Sequence, residues 1–235
     1  MRYADWMEIA DDEYRRLLAL LRTLDPADWR APTDCDGWDV HAVVAHLAGA
    51  AAAAASPRET VRQARVGKKS QEGTATVDRM NAVQVGERAH LAPEELVSDL
   101  ERTAARGMKA RRRLPGLIRA VPMPFGEPLG TRPLGYLMGR IYTRDAWMHR
   151  ADLARATGRE LLLTPDHDGR IVADVVEEWA DRHGQPFTLT LIGPGGGTFS
   201  RGVGGPVTES DAVEFCRALS GRAAGGGLLA HPVPF

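Results

Sequence analysis

The sequence predicts a mainly helical α+β protein, with a helical bundle over residues 1–162 and a small α/β domain over 163–235. Three observations carry this. Apolar residues recur at helical spacing along most of the first 160 positions. One segment, from Trp38 and Val40 to about Ser56-Pro57, is apolar almost all round, the pattern of a helix enclosed by others. Strand-like stretches, FTLTLIG (187–193) and TFSRGV (198–203), appear only after a short linker near 160–166.

The elements follow in order. Residues 4–24 read as an amphipathic helix with Trp6, Ile9, Ala10, Leu17, Leu21 and Leu24 on one side, stopped by Asp25-Pro26. Pro32 and Asp36-Gly37 force turns before the buried helix, which carries His46 among the small neighbours Ala42, Gly49 and Ala50. The polar stretch Arg58 to Thr76 reads as a frayed helix end and a mobile loop. Helices follow at about 77–90 and 93–113, the second with Pro93 in its first turn and Glu94 and Glu95 where the helix dipole favours acids. Pro115 to Pro133 is rich in proline and glycine and reads as an irregular surface connection.

Pro133 to Gly158 then reads as one long helix capped by Gly158, with an apolar stripe of Leu134, Leu137, Met138, Ile141, Tyr142 and Leu153. Asp145, His149 and Asp152 fall within that stripe, whereas Arg140, Arg144 and Arg150 project elsewhere. In the second domain a helix is expected over about 168–183. A hairpin turns at Pro194 to Gly197, and a last helix starts from Thr208 as N-cap and stops at Gly221.

Composition narrows the function. The 235 residues are 43% hydrophobic and 26% charged, with a formal net charge of −1, so no overall field favours nucleic acid or an anionic membrane. The basic run Lys109 to Arg113 reads as a solvated helix terminus. The opening MRYADWMEIADDEYRR carries acids where a secretory leader needs an apolar core, and the expected location is the cytoplasm. Cys35 and Cys216 form no CxxC and read as free thiols. The absence of G-x-S-x-G argues against a serine hydrolase, and the glycines at 193–197 lack the Lys-Ser/Thr of a phosphate loop.

What remains is an inward-facing set. Asp145 and His149 stand one helical turn apart, and His46 faces the same bundle interior from the second helix. Two imidazoles and a carboxylate suit a divalent metal, whether zinc, iron, nickel or manganese, with positions left for water or substrate. Asp152 reads as a hydrogen-bond acceptor that orients His149 or another group, ahead of a reading as a further ligand. The competing reading makes His46 a satisfied core histidine and pairs Asp145 with an arginine. Arg217 and Arg222, beside the last helix, read either as surface charges or as ligands for a substrate carboxylate.

The stretch Cys35-Asp-Gly-Trp-Asp-Val-His-Ala-Val-Val-Ala-His46-Leu-Ala-Gly49 resembles the C-x-G-W-x-V-x-x-x-x-x-H-L-A-G signature of the mycothiol-dependent maleylpyruvate isomerase family. Asp145-Ala-Trp-Met-His149-Arg-Ala-Asp152-Leu resembles its second motif, an acid followed by W-x-H-x-x-D-L. The resemblance implies a DinB-like four-helix bundle holding a divalent metal, typically zinc, and a small α/β domain. It implies His46, Asp145 and His149 as ligands and mycothiol as thiol cosubstrate. It also implies a pocket arginine from the small domain, Arg222 before Arg217. The family pattern has glutamate where this chain has Asp145, a reach shorter by about 1.5 Å. The expected activity is a metal- and thiol-dependent isomerase or transferase acting on a small electrophile. The alternative is a non-catalytic sensor or partner protein on the same scaffold.

Overall fold

Sixteen residues with almost no polar face, Val40–Ala55, form a helix buried nearly all round, and the first unit is assembled about it. The computed structural model describes residues 1–69, 75–125 and 130–235. The chain divides into two units, Arg2–Glu160, and Leu161–Phe235 together with Met1. In the first, the helices are α1 (Tyr3–Leu21), α2 (Val40–Ala55), α3 (Pro57–Gly67), α4 (Thr76–Gly86), α5 (Pro93–Arg113) and the short α6 (Gly116–Arg119). A small hairpin, β1 (Pro122–Pro124) with β2 (Thr131–Pro133), precedes α7 (Leu134–Tyr136) and α8 (Tyr142–Thr157). α2 packs on α5 and α8, and α1 packs on the same two, which makes a four-helix bundle with α3 and α4 laid against α2.

Several boundaries differ from the sequence reading. The polar stretch after Ser56 contains a true helix, α3, started by Pro57 at its first position. The expected mobile loop falls partly on residues 70–74, outside the described residues. The connection from Pro115 contains α6 and the hairpin, while residues 126–129 lie outside the description.

The helix expected over Pro133 to Gly158 is present from Leu134 to Thr157, with a π-helical turn inside it. Pro133 ends β2 with extended backbone, and Leu137–Ile141 form a π-helical turn before α8, which ends at Gly158 with φ 65°. The cause lies 27 residues upstream. Arg111 of α5 inserts its guanidinium here: Nε donates to the Met138 carbonyl at 2.6 Å, and Nη2 donates to the Gly139 carbonyl at 3.4 Å and to Thr143 Oγ1 at 2.9 Å. The guanidinium thus meets two carbonyls of the π turn, and the Gly139 carbonyl also accepts from Thr143 Oγ1 at 2.6 Å. Arg111 is therefore buried, although the basic run containing it reads as a solvated terminus.

Past the π turn the one-sided stripe gives way to burial all round. Leu134, Leu137, Met138, Ile141 and Tyr142 are only half-buried, whereas Ala146 to Ala154 are buried on every side. Arg144 and Arg150, expected to point away from the core, are also buried; Arg150 meets Glu13 of α1 through Nε at 2.6 Å and Nη2 at 3.2 Å.

The second unit is α+β. α9 (Arg170–His183) presents Ile171, Val172, Val175, Val176 and Trp179. β3 (Phe187–Ile192) pairs antiparallel with β4 (Gly197–Arg201) and parallel with β5 (Val207–Asp211), in the order β4-β3-β5. The buried side of β3, Phe187, Leu189 and Leu191, alternates as a one-faced strand must. Trp179 packs edge-on against Phe187 and against Phe215 of α10 (Ala212–Leu219). Thr208 is not a helix cap: it pairs with Leu189 in β5, and Asp211 caps α10 by accepting from the Val213 and Glu214 amides. The protein is thus α+β and mainly helical. No described helix is long and apolar enough to cross a membrane.

Replacing Arg111 by methionine leaves two buried carbonyls and a hydroxyl without their guanidinium. The expected loss is about 3 kcal/mol of unfolding free energy, read from urea denaturation followed by circular dichroism.

Candidate metal centre

The first side of the site is a turn followed by a helix start. Cys35 to Trp38 form a β-turn closed by the Trp38 amide donating to the Cys35 carbonyl at 2.9 Å, with Gly37 at φ 77° supplying the left-handed backbone that other residues resist. Asp39 caps α2 by accepting from the Ala42 amide at 2.9 Å. Two turns further on, the helix presents His46. The second side is α8, where Asp145 and His149 share a face as residues four apart, with Asp152 one turn beyond.

These side chains converge. Asp145 Oδ2 lies 3.4 Å from His46 Nε2, and its Oδ1 lies 3.4 Å from His149 Nε2. One ligand atom from each of the three falls within 4.8 Å of the others. Donors at about 2.0–2.1 Å from a tetrahedral ion stand about 3.3 Å apart, so the spacing and the donor chemistry fit a divalent cation. The aspartate, although shorter than the glutamate of the family pattern, brings an oxygen to each imidazole.

The outward nitrogens are also occupied. His46 Nδ1 lies 2.8 Å from Gln84 Oε1 of α4, and His149 Nδ1 lies 3.0 Å from Asp152 Oδ2. The Cys35 thiol donates to the same Asp152 oxygen at 3.5 Å and stands 3.8 Å from His149 Nδ1. Trp38 covers both imidazoles, its ring centroid 5.1 Å from His46 and 6.2 Å from His149.

Charge follows from this packing. Burial acts to raise the Asp145 carboxyl, but the two imidazoles outweigh it and hold that group well below the usual carboxylate range. Burial acts to lower His149. The Asp145 charge first, then hydrogen bonds to Asp145, Asp152 and Cys35, hold it well above the ordinary histidine value.

Arg217, in α10, is buried, with Nε 3.2 Å from Glu214 Oε2 and Nη2 3.5 Å from the Arg222 carbonyl; Arg222 is half-buried and its amide donates to the Arg217 carbonyl. His41 is turned away from the site, its Nε2 2.9 Å from the Leu91 carbonyl. The sequence reading missed Gln84 and the placement of Cys35. The glycine and tryptophan of the turn were the available signal for Cys35; nothing in the polar pattern of α4 marked Gln84.

Two imidazoles and a carboxylate brought together from α2 and α8 are the kind of donor set from which bundle cores build metal sites. The model of the mycothiol maleylpyruvate isomerase N-terminal domain matches residues 10–154, and the chain belongs to that family. A crystal structure of the mycothiol-dependent maleylpyruvate isomerase is similar at TM-score 0.61 and 18% identity, covering 96% of this chain and 92% of that one. A histidine-to-alanine mutant of the mycothiol-dependent maleylpyruvate isomerase is similar at TM-score 0.60 and 18% identity, covering 95% of this chain and 91% of that one. At that identity the likeness establishes the fold. No curated protein matches significantly.

The Asp145–His149 pair sets a pH dependence for the metal-free protein. His149, raised on folding, contributes stability that is full below about pH 6.5 and is lost as pH rises through its folded value. Asp145, lowered on folding, contributes stability present above about pH 3.9 and lost as pH falls toward its folded value. Urea titrations of metal-free protein should therefore give declining stability on the alkaline side of about pH 6.5, and Asp145→Asn should flatten that decline.

Proposed function

We propose that this protein is a metal-dependent, thiol-dependent isomerase or transferase, with mycothiol as its thiol and a small electrophile as its substrate. The observation that carries the proposal is the placement of Asp145 at 3.4 Å from the inward nitrogens of both His46 and His149. Family membership supports mycothiol and an isomerisation of the maleylpyruvate type.

In this reading His46, Asp145 and His149 hold the ion, zinc being the first candidate for two nitrogens and one oxygen. A bound divalent ion supplies the positive charge that lowers the pKa of a thiol brought to it. The protein's own groups do the rest. Asp152 accepts the Nδ1 proton of His149, which directs the Nε2 lone pair inward, and the Cys35 thiol steadies that carboxylate. Trp38 shields the imidazoles from water on one side. From the family resemblance, Arg222 is the first candidate for holding a substrate carboxylate through the guanidinium fork, Arg217 being buried with its Nε on Glu214. An isomerase of this kind needs a nucleophile that adds to a double bond and departs after rotation about the resulting single bond, and a thiol meets both needs.

Protein purified without a chelating column should hold close to one equivalent of transition metal by elemental analysis, or take it up when zinc is offered. Less than a tenth of an equivalent under both conditions defeats the proposal. His46→Ala should reduce retention at least tenfold. Mycothiol should raise the melting temperature of the zinc-loaded protein and be required for turnover of maleylpyruvate. Metal retention with neither effect would favour the non-catalytic binding role.

A further inference from the structure

Behind His46 lies a chain of buried polar groups that neither the ion nor the thiol chemistry requires. Gln63 of α3 and Gln84 of α4 are 0% and 3% exposed, and their side chains join end to end between α2, α3 and α4. Gln63 Nε2 lies 3.0 Å from the Gly49 carbonyl and 2.9 Å from Glu59 Oε1; Gln63 Oε1 lies 2.8 Å from Gln84 Nε2; Gln84 Oε1 lies 2.8 Å from His46 Nδ1.

The direction of this chain follows from its far end. A backbone carbonyl can only accept, and so can an ionised carboxylate. Arg62 grips Glu59 with Nε at 2.8 Å and Nη2 at 2.6 Å, which lowers the Glu59 carboxyl and keeps it ionised. The Gln63 group facing these two acceptors must therefore be its NH2, and its oxygen must face Gln84. Gln84 must then donate to that oxygen and turn its own oxygen to His46. Reversing either amide would set oxygen against oxygen in a buried place, at a cost of about 1–3 kcal/mol per unmet group. Gly49 completes the arrangement, because a methyl group there would overlap Cβ and Cγ of Gln84.

We infer that Gln84 and Gln63 are positioning residues that, from the acceptors Gly49 and Glu59, fix His46 as the tautomer protonated on Nδ1, so that its Nε2 lone pair faces Asp145 and His149. In the metal-free protein Asp145 Oδ2, 3.4 Å from Nε2, competes for the same proton. The shorter 2.8 Å contact to Gln84 makes Nδ1 the nitrogen that keeps it once the imidazole is neutral. The consequence for ion affinity rests on the metal reading proposed above.

The test uses full-length, metal-free protein with 15N-labelled histidine, the His46 resonances being identified by their loss in His46→Ala. In the neutral imidazole, observed at alkaline pH, wild-type His46 should carry its proton on Nδ1, with Nε2 showing the shift of an unprotonated nitrogen. Gln63→Met leaves Gln84 touching His46 but free to reverse, and should convert His46 to a mixture of tautomers. Zinc added alone, in competition with a chromophoric chelator, should then bind this variant 10- to 100-fold more weakly than wild type. Wild-type His46 protonated on Nε2 overturns the inference, as does a Gln63→Met variant with wild-type tautomer and zinc affinity within twofold. If the variant does not fold, the wild-type spectrum alone decides. If wild type takes no zinc yet shows the Nδ1 tautomer, which is lost in the variant, the metal reading fails and the relay stands.

Discussion

The constraint on which the bundle depends is a carboxylate held charged where two helices meet, its side chain 20% exposed. Removing Asp145 from water is unfavourable, and it is tolerated because two imidazoles face it at 3.4 Å. Those imidazoles must come from α2 and α8 together, so the packing of these two helices and the charge at their meeting point are a single problem. A shift of one helix along the other would take His46 away from the carboxylate and leave it only the imidazole of its own helix.

The helices are held in that relation by polar groups as much as by apolar ones. Arg111 crosses from α5 to the carbonyls of the π turn and to Thr143, and so ties α5 to the start of α8. Glu13 and Arg150 join α1 to α8 through a buried ion pair. Behind the two histidines, Gln84 and Asp152 occupy the outward nitrogens, and each is supported in turn, by Gln63 and by Cys35. Buried groups of this kind specify one arrangement because every alternative leaves a donor or acceptor unmet.

The cysteine, glycine and tryptophan before α2 belong to the same logic. Gly37 allows the turn, the turn places Cys35 against Asp152 and Trp38 over the imidazoles, and Asp39 then starts the helix that delivers His46 two turns later. Gly49 admits Gln84 to the back of that histidine. A run of fifteen residues therefore contains a turn, a cap, a ligand-type side chain and the space behind it.

Local pattern in the sequence was enough for α1, α2, α5, α9 and the β3–β4 hairpin, because amphipathic periodicity, proline, glycine and capping residues act within a few positions of themselves. It also placed His46, Asp145 and His149 on inward faces, since a charged group within an apolar stripe is visible wherever the period is regular. Tertiary structure alone decided the rest. The π turn was hidden because its cause, Arg111, lies on another helix. β5 was hidden because a short polar segment becomes a strand only when β3 offers it backbone partners. Arg144 and Arg150 were misplaced because the helix past that turn is enclosed on every side, which a one-sided stripe does not show. Gln84 gave no sign because a glutamine in a polar helix acquires meaning only when folding brings a histidine to one end of its amide and Gln63 to the other.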